Sequence, residues 1–311
     1  MRTRGLRSGL VITAAAGLLP LCAIAAQGSQ ADATVAPAVW MLSTAALQNV
    51  IGNQTVAQGL GTATVYQVSD SISDNTPVTS NAILSYHEYS GARAASDVDN
   101  GRLSSNTGAI VLDQEDWQGS CPGGGTCTSA YDLAHPVGGA TQAAQAVVAY
   151  NQAHPSAPLT LIVTPGLDLF NNGALGCTSG TIASCYLSYN MAGRMAAIPG
   201  VSVIDLQAQS LEGDPGTTFN SAGSYWNFVY QAAAQAEAGA ASAGKSIVIL
   251  AGLSTHPNVS PTPSLCDIEQ SANNVQSIVS GFWMNIPDAD PAYYAEAEQA
   301  MAEIMTGGTC S

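Results

Sequence analysis

Residues 109–116 read Ala-Ile-Val-Leu-Asp-Gln-Glu-Asp, an apolar run followed at once by a cluster of acidic residues. Continuous apolar runs of this kind are typical of strands that are buried on both faces of a parallel sheet. Ligands of parallel α/β folds bind beyond the carboxyl ends of such strands. This stretch therefore indicates both the kind of sheet and the edge at which its chemistry is expected.

Similar runs recur along the chain and alternate with Ala- and Gln-rich stretches. The eight predicted strands are Val39–Leu42, Thr64–Val68, Ala82–Tyr86, Ala109–Leu112, Leu159–Val163, Val201–Leu206, Ser246–Ala251 and Ile278–Met284. The predicted helices are Gly138–Ala153, Tyr186–Ala197, Ser221–Ala243, Cys266–Gln276 and Pro291–Met305. Parallel strands need such helical crossovers. The pattern predicts an α/β fold, a (β/α)₈ TIM-type barrel. An open doubly wound sheet is the alternative, as is a short helix at Val39–Leu42.

Composition and charge restrict the classes of protein that the chain can belong to. The 311 residues are 46% hydrophobic and only 9% charged, which favours a folded chain over a disordered one. The net charge of −15 excludes a basic nucleic-acid-binding surface, so no nucleic-acid partner is expected.

The N-terminus predicts export. Residues 1–26 combine Arg2, Arg4 and Arg7 with an uncharged apolar stretch and a small-residue cleavage site, the pattern of a signal peptide. We expect a flexible leader at 27–36, a single barrel domain at 37–311, and an extracellular location. After cleavage, four Lys and Arg remain against 22 Asp and Glu, and no membrane partner is expected.

An even number of cysteines remains in the predicted mature chain. In an exported protein this favours disulfides over a zinc site, and we expect no metal ligands among them. Closeness in sequence favours the pairs Cys121–Cys127, Cys177–Cys185 and Cys266–Cys310.

The acidic stretch after the fourth strand is the strongest catalytic candidate. In extended chain, Asp113 and Glu115 point to the same side, because side-chain direction repeats every two residues. Two close carboxylates repel each other, so the pKa of one is expected to rise. A carboxyl group with a raised pKa can hold a proton at neutral pH and act as a general acid.

Other predicted strands also end in side chains that suit sugar binding. The aromatic ring of Trp283 is a candidate platform for a sugar. The polar candidates for substrate binding are Glu88, Asp168, Asp205, Gln207 and Asn285.

The segment Gly108–Glu115 resembles the fourth-strand motif of family 18 glycoside hydrolases, which ends in Asp-x-Glu. The resemblance implies that Glu115 is the proton donor and that Asp113 modulates it. Trp283 is similar to the Trp that forms the floor of the sugar site in that family. The chain departs from the motif at Val111, where the family has an Asp, and Gln207 is the nearest match to the family's Tyr after the sixth strand.

We therefore expect a secreted hydrolase that cleaves glycosidic bonds of a polysaccharide or oligosaccharide, without a cofactor. Two alternatives remain open. One is an extracellular barrel that binds glycans without cleaving them. The other is a metal-dependent hydrolase or phosphodiesterase, in which His87, Glu88, Asp113 and Glu115 would surround the metal.

Overall fold

The computed structural model describes residues 36–74, 76–116, 127–171, 175–215, 224–257, 261–287, 290–308 and 310. The predicted signal peptide, residues 27–35 of the predicted leader, and Cys121 lie outside the described residues.

The strands form one closed barrel, in which each strand pairs in parallel with the next and the last returns to the first. They are β1 (Val39–Ser43), β2 (Thr64–Ser69), β3 (Ala82–Glu88), β4 (Thr107–Gln114), β5 (Thr160–Pro165), β6 (Val201–Leu206), β7 (Val248–Ser254) and β8 (Gly281–Asn285). The prediction of a (β/α)₈ barrel is confirmed. The open sheet and the short helix at 39–42 are wrong, because β1 pairs with both β2 and β8.

Helices connect the strands around the outside of the barrel. They are α1 (Thr44–Val50), α2 (Gln54–Thr62), α3 (Gly91–Asp99), α4 (Ala130–Ala134), α5 (Pro136–Ala153), α6 (Ile182–Tyr189), α7 (Met191–Ala196), α8 (Ser224–Ser242), α9 (Leu265–Val275) and α10 (Pro291–Thr306). Short 3₁₀ turns follow β5 at Leu167–Phe170 and β6 at Gln209–Leu211.

The single helix predicted at Tyr186–Ala197 is two helices in the structure. Asn190 separates α6 from α7 and takes a left-handed conformation with φ of 56°. Asparagine tolerates this conformation better than most residues, so it ends one helix and redirects the chain into the next.

Polar side chains fix where several helices begin. Ser264 accepts a hydrogen bond from the backbone of Asp267, whose carboxylate in turn accepts from the Ser264 backbone, and together they start α9. Asn53 accepts hydrogen bonds from two backbone N–H groups in the first turn of α2. These caps satisfy donors that would otherwise lack partners within the helix.

Alternate strand residues divide the apolar residues into two groups. The group between the barrel and its helices contains Trp40, Leu42 and Phe282. A smaller group fills the barrel interior: Val39, Met41, Tyr66, Val68, Ala109, Val111, Ile162, Val203, Leu250 and Trp283. Because both faces of each strand are buried, the strands are continuously apolar, as the sequence pattern indicates.

Two described disulfides tie the chain outside the barrel. Cys177 pairs with Cys185 at the start of α6, and Cys266 in α9 pairs with Cys310 near the C-terminus. Both pairs are among those that closeness in sequence favours. Cys127 is also disulfide-bonded.

The seam between β8 and β1 leaves no room for a side chain at Gly281. A Cβ there would lie 1.8 Å from the carbonyl oxygen of Val39. We expect Gly281→Ala to lower the free energy of unfolding by about 3 kcal/mol, because the backbone of β1 would have to move. Urea unfolding of the purified variant measures this.

Gly61 in α2 is the matched control, since nothing lies within 4 Å of a Cβ built there. Gly61→Ala should raise the free energy of unfolding by about 0.5–1 kcal/mol, because alanine is the better helix former. A Gly281→Ala variant as stable as the wild type would contradict the packing described for the seam.

Candidate active site

The carboxyl ends of β3 to β6 carry polar side chains that face into the barrel. Each lies two or four residues after an apolar residue of the barrel interior. Because side chains of a strand alternate between its two faces, each polar side chain also points inward. Asp113 is paired with Thr164 in the strand register, which makes them neighbours. The inward-facing polar residues are His87, Asp113, Thr164 and Asp205.

Two carboxylates hold the ring of His87 between them. Its Nδ1 lies 2.6 Å from Asp70 Oδ1, and its Nε2 lies 3.0 Å from Asp113 Oδ2. The side chain of Asp70 is 69% exposed, whereas those of His87 and Asp113 are only 10% and 3% exposed. A chain of charge-assisted hydrogen bonds thus runs from the surface into the barrel.

The charge of His87 follows from this arrangement. Burial by itself lowers the pKa of His87, but the hydrogen bonds and negative charges of Asp113 and Asp70 outweigh burial and raise the pKa to about 10. The hydrogen bond and charge of His87 in turn lower the pKa of Asp70, although burial acts against them. His87 is therefore an imidazolium at neutral pH, and it is not free to act as a general base.

Asp113 accepts hydrogen bonds from three side chains. Thr164 Oγ1 and Gln207 Nε2 donate to Asp113 Oδ1 at 2.5 and 2.6 Å, while His87 Nε2 bonds the other oxygen. Gln207 also donates to the carbonyl oxygen of Thr164 at 3.0 Å. This set of donors suits an ionised carboxylate and holds it rigidly.

Asp205 is a second acid in the barrel interior, and it differs from Asp113. It is fully buried, and neither carboxyl oxygen has a hydrogen-bond partner. Burial, followed by the negative charge of Asp113, raises the pKa of Asp205 well above its usual value. The negative charge of Asp113 thus adds to the effect of burial and opposes ionisation of Asp205.

Asp168, in the 3₁₀ turn after β5, has a pKa in the neutral range. Burial and the charges of Asp113 and Asp116 raise the pKa to about 7, although the backbone N–H groups of Asp116 and Leu169 act in the opposite direction. Asp168 Oδ2 accepts from Asp116 N at 2.9 Å, and Oδ1 is buried without a partner. A carboxyl group in this state exchanges a proton at neutral pH.

Glu115 lies one residue beyond the end of β4 and is half-buried. Its backbone N–H donates to Thr128 Oγ1 at 2.9 Å. Burial raises the pKa of Tyr89, and the negative charges of Asp113 and Glu115 add to this rise. The ring of Tyr89 packs against His87, so the charge of Glu115 acts close to the His87 site. The hydrogen bond between Asp116 and Asp168 brings the segment of Glu115 next to the turn of Asp168.

Glu88 is placed away from the other predicted site residues. Its side chain lies on the outer face of β3, where Oε1 accepts from the backbone N–H groups of Tyr89 and Ser90. Its Oε2 accepts from the Tyr86 hydroxyl at 3.2 Å and lies 3.3 Å from Arg93 Nε. The strand separates Glu88 from His87, since consecutive residues face opposite sides.

Trp283 and Asn285 both belong to β8. Trp283 is only 7% exposed and packs among the apolar residues of the barrel interior, so little of its ring is accessible. Asn285 is partly exposed at the end of the strand, beside Ser254 in the register.

The sequence reasoning missed Glu212, which follows the 3₁₀ turn after β6. Glu212 is fully buried; its Oε1 accepts from Ser254 N at 3.0 Å, and its Oε2 has no partner. Burial raises the pKa of Glu212 well above its usual value, against the Ser254 hydrogen bond and with the charges of Asp267 and Glu296. Nothing in its sequence context marks this residue.

The described part of the chain contains neither a metal-binding cluster nor a membrane-spanning helix. No group of three or more His, Cys, Asp and Glu side chains there is arranged to hold a metal ion. No helix in the described ranges is both long and apolar enough to cross a membrane.

Comparisons with known proteins find similarity in fold alone. No family model matches the sequence, and no curated protein matches it. β-Methylaspartase from Clostridium tetanomorphum is 10% identical with a TM-score of 0.42; the match covers 90% of this chain, which spans 60% of that enzyme. A chitinase from Ipomoea carnea is 12% identical with a TM-score of 0.37, covering 83% of this chain and 78% of its own. A GH5-4 endoglucanase from an uncultured bacterium is 11% identical with a TM-score of 0.39 and 84% coverage of both chains.

The raised pKa of Asp168 makes folding stability depend on pH. The pKa of Asp168 is about 7 in the folded protein and 3.8 for an unperturbed aspartate, so the unfolded chain binds fewer protons between these values. Stability should therefore fall as pH rises through this window. Asp168→Asn removes the effect, and its stability relative to wild type should rise by about 2–4 kcal/mol from pH 4 to pH 7. Urea unfolding across this range measures the difference, and a constant difference would contradict the shift.

The ion pairs of His87 can be tested by nuclear magnetic resonance. The chain has four histidines, and one ring signal, absent in His87→Gln, should remain in the charged form to above pH 9. Asp70→Asn removes one exposed partner and should lower this midpoint by about one pH unit or more. A His87 midpoint near the ordinary value of about 6.5 would contradict the proposed imidazolium.

Proposed function

We propose that this protein is a secreted hydrolase that cleaves glycosidic bonds at the carboxyl end of its barrel. The observation that carries the proposal is the joining of two acidic loops by the hydrogen bond from Asp116 N to Asp168 Oδ2. It sets a carboxyl group with a pKa of about 7 beside the loop of Glu115, above the fixed carboxylate of Asp113. Glycosidic hydrolysis needs one proton-donating and one ionised carboxyl group.

The environments of the carboxyl groups suggest their roles. Sequence resemblance assigns proton donation to Glu115, but burial and neighbouring charge favour Asp168 as the donor. Glu115 then serves as the second carboxylate, acting on the sugar carbon or on water. Asp113 is buried and acts as a positioning residue, since its charge helps to keep the proton on Asp168.

In the proposed reaction, Asp168 transfers its proton to the glycosidic oxygen as the bond from that oxygen to the sugar carbon breaks. Positive charge develops on the sugar ring, and the carboxylate of Glu115 stabilises it. A water molecule supplies the new hydroxyl group on the sugar carbon, and its proton returns to the carboxyl pair. Asp168 is then protonated and Glu115 ionised again, as at the start of the cycle.

The proposal is tested by release of reducing ends from a panel of uncharged and amino-bearing polysaccharides. Asp168→Asn and Glu115→Gln should each lower kcat by about 10²–10⁴-fold, because each removes a group that acts on the reacting atoms. Wild-type kcat should fall above about pH 7, where Asp168 loses its proton. Glu237→Gln, an exposed acid on α8, is the matched control and should retain full activity.

Other outcomes of this experiment would change specific parts of the proposal. Loss of activity only in Glu115→Gln would return the donor role to Glu115. Full activity in both variants would exclude this carboxyl pair. Binding of a polysaccharide without product release would favour the non-catalytic glycan-binding alternative, and loss of activity with a chelator would favour the metal-dependent one.

A further inference from the structure

A cavity of about 460 Å³ lies on the outside of the barrel, against β3 and α3. Tyr86 contributes to its wall from the face of β3 opposite to that of His87, so the strand separates this cavity from the acidic residues of the interior. The volume falls within the range of small-molecule sites. Its lining residues are Ile72, Tyr86, Arg93, Ser96, Asp97 and Arg102.

Two of the few cationic side chains of the chain meet at this cavity. Beyond residue 35 the sequence holds only Arg93, Arg102, Arg194 and Lys245 as Lys or Arg. Arg194 stacks over the ring of Tyr189 at 4.1 Å, and Lys245 donates to backbone carbonyl groups. The two remaining arginines therefore bring two guanidinium groups to one place on a strongly acidic protein.

Each arginine is held by one carboxylate and keeps other donors available. Arg93 Nε lies 3.3 Å from Glu88 Oε2, and Arg102 Nη1 lies 3.2 Å from Asp97 Oδ1. Their side chains are 67% and 62% exposed. The remaining guanidinium N–H groups have no hydrogen bond to the described residues.

The wall beneath the arginines is rigid and polar. The hydroxyl group of Tyr86 can donate to Glu88 Oε2 at 3.2 Å or to Asp97 Oδ2 at 3.3 Å. Both acids are buried, so they hold the guanidinium groups in place rather than facing solvent. Their negative charges also oppose a ligand with more than one negative charge.

We propose that this cavity binds a small organic monocarboxylate. The free N–H groups of Arg93 and Arg102 would pair with the carboxylate, for which the planar guanidinium is well shaped. Ile72 and the ring of Tyr86 would contact the hydrocarbon part of the ligand. The site is separate from the proposed glycosidic site, so it does not depend on that function.

The arginine side chains themselves report binding. In ¹⁵N-labelled protein, the Nε–Hε signals of Arg93, Arg102 and Arg194 can be assigned from the single Arg→Lys variants. Phenylacetate, added at constant ionic strength, should shift the Arg93 and Arg102 signals to saturation and leave the Arg194 signal in place. Acetate should need a higher concentration, because it lacks the hydrocarbon body, and phosphate a higher one still.

Two leucine substitutions on α3 provide a matched pair. Ser96→Leu fills the cavity without removing a charge and should weaken phenylacetate binding by about tenfold or more. Ala92→Leu adds the same side chain at an exposed position outside the cavity and should change affinity less than about twofold. Should Ser96→Leu fail to fold, Arg102→Gln removes one pairing group and should weaken binding similarly.

Three results would overturn the proposal. The first is a shift that does not saturate and that chloride reproduces at equal ionic strength. The second is an equal movement of the Arg194 signal, which would indicate general screening of charge. The third is saturation by phosphate at a lower concentration than phenylacetate, which would contradict a site for singly charged carboxylates.

Discussion

The burial of a carboxylate at Asp113 is the constraint on which the rest of the site depends. A charge in the barrel interior is costly unless it is paired and fully hydrogen-bonded. His87 provides the opposite charge, and Thr164 and Gln207 provide the remaining donors. Burial raises the pKa values of Asp205 and Asp168, and the charge of Asp113 adds to both rises.

The choice of histidine as the balancing cation reflects the composition of the chain. The whole sequence contains seven Lys and Arg residues and 22 Asp and Glu residues. In the described barrel, Arg93 and Arg102 pair with Glu88 and Asp97 and not with Asp113. A histidine between two carboxylates becomes a cation without the long side chain of arginine or lysine. Its charge depends on Asp70 and Asp113 together, which couples an exposed loop after β2 to the barrel interior.

The fold could be predicted because both faces of the strands are buried, which leaves continuous apolar runs at regular spacing. The site could be predicted in part, since Asp113 and Asp205 lie near the ends of buried strands, and Asp168 and Gln207 come shortly after such strands. The face of β3 on which Glu88 lies could not be predicted, because apolar residues point to both faces of this strand. The pairing of β3 with β4 also shifts in register between Leu84 and Ser85. The contact of His87 with Asp70, 17 residues away, leaves no local pattern in sequence.

The proposed mechanism requires that Asp168 retains a proton on a substantial fraction of molecules at neutral pH. The most direct measurement is the pH titration of carboxyl carbon signals in protein labelled at aspartate, with Asp168→Asn for assignment. We expect an Asp168 midpoint near pH 7 that falls when Asp113→Asn removes the neighbouring charge. A midpoint near 4, unchanged in Asp113→Asn, would contradict it.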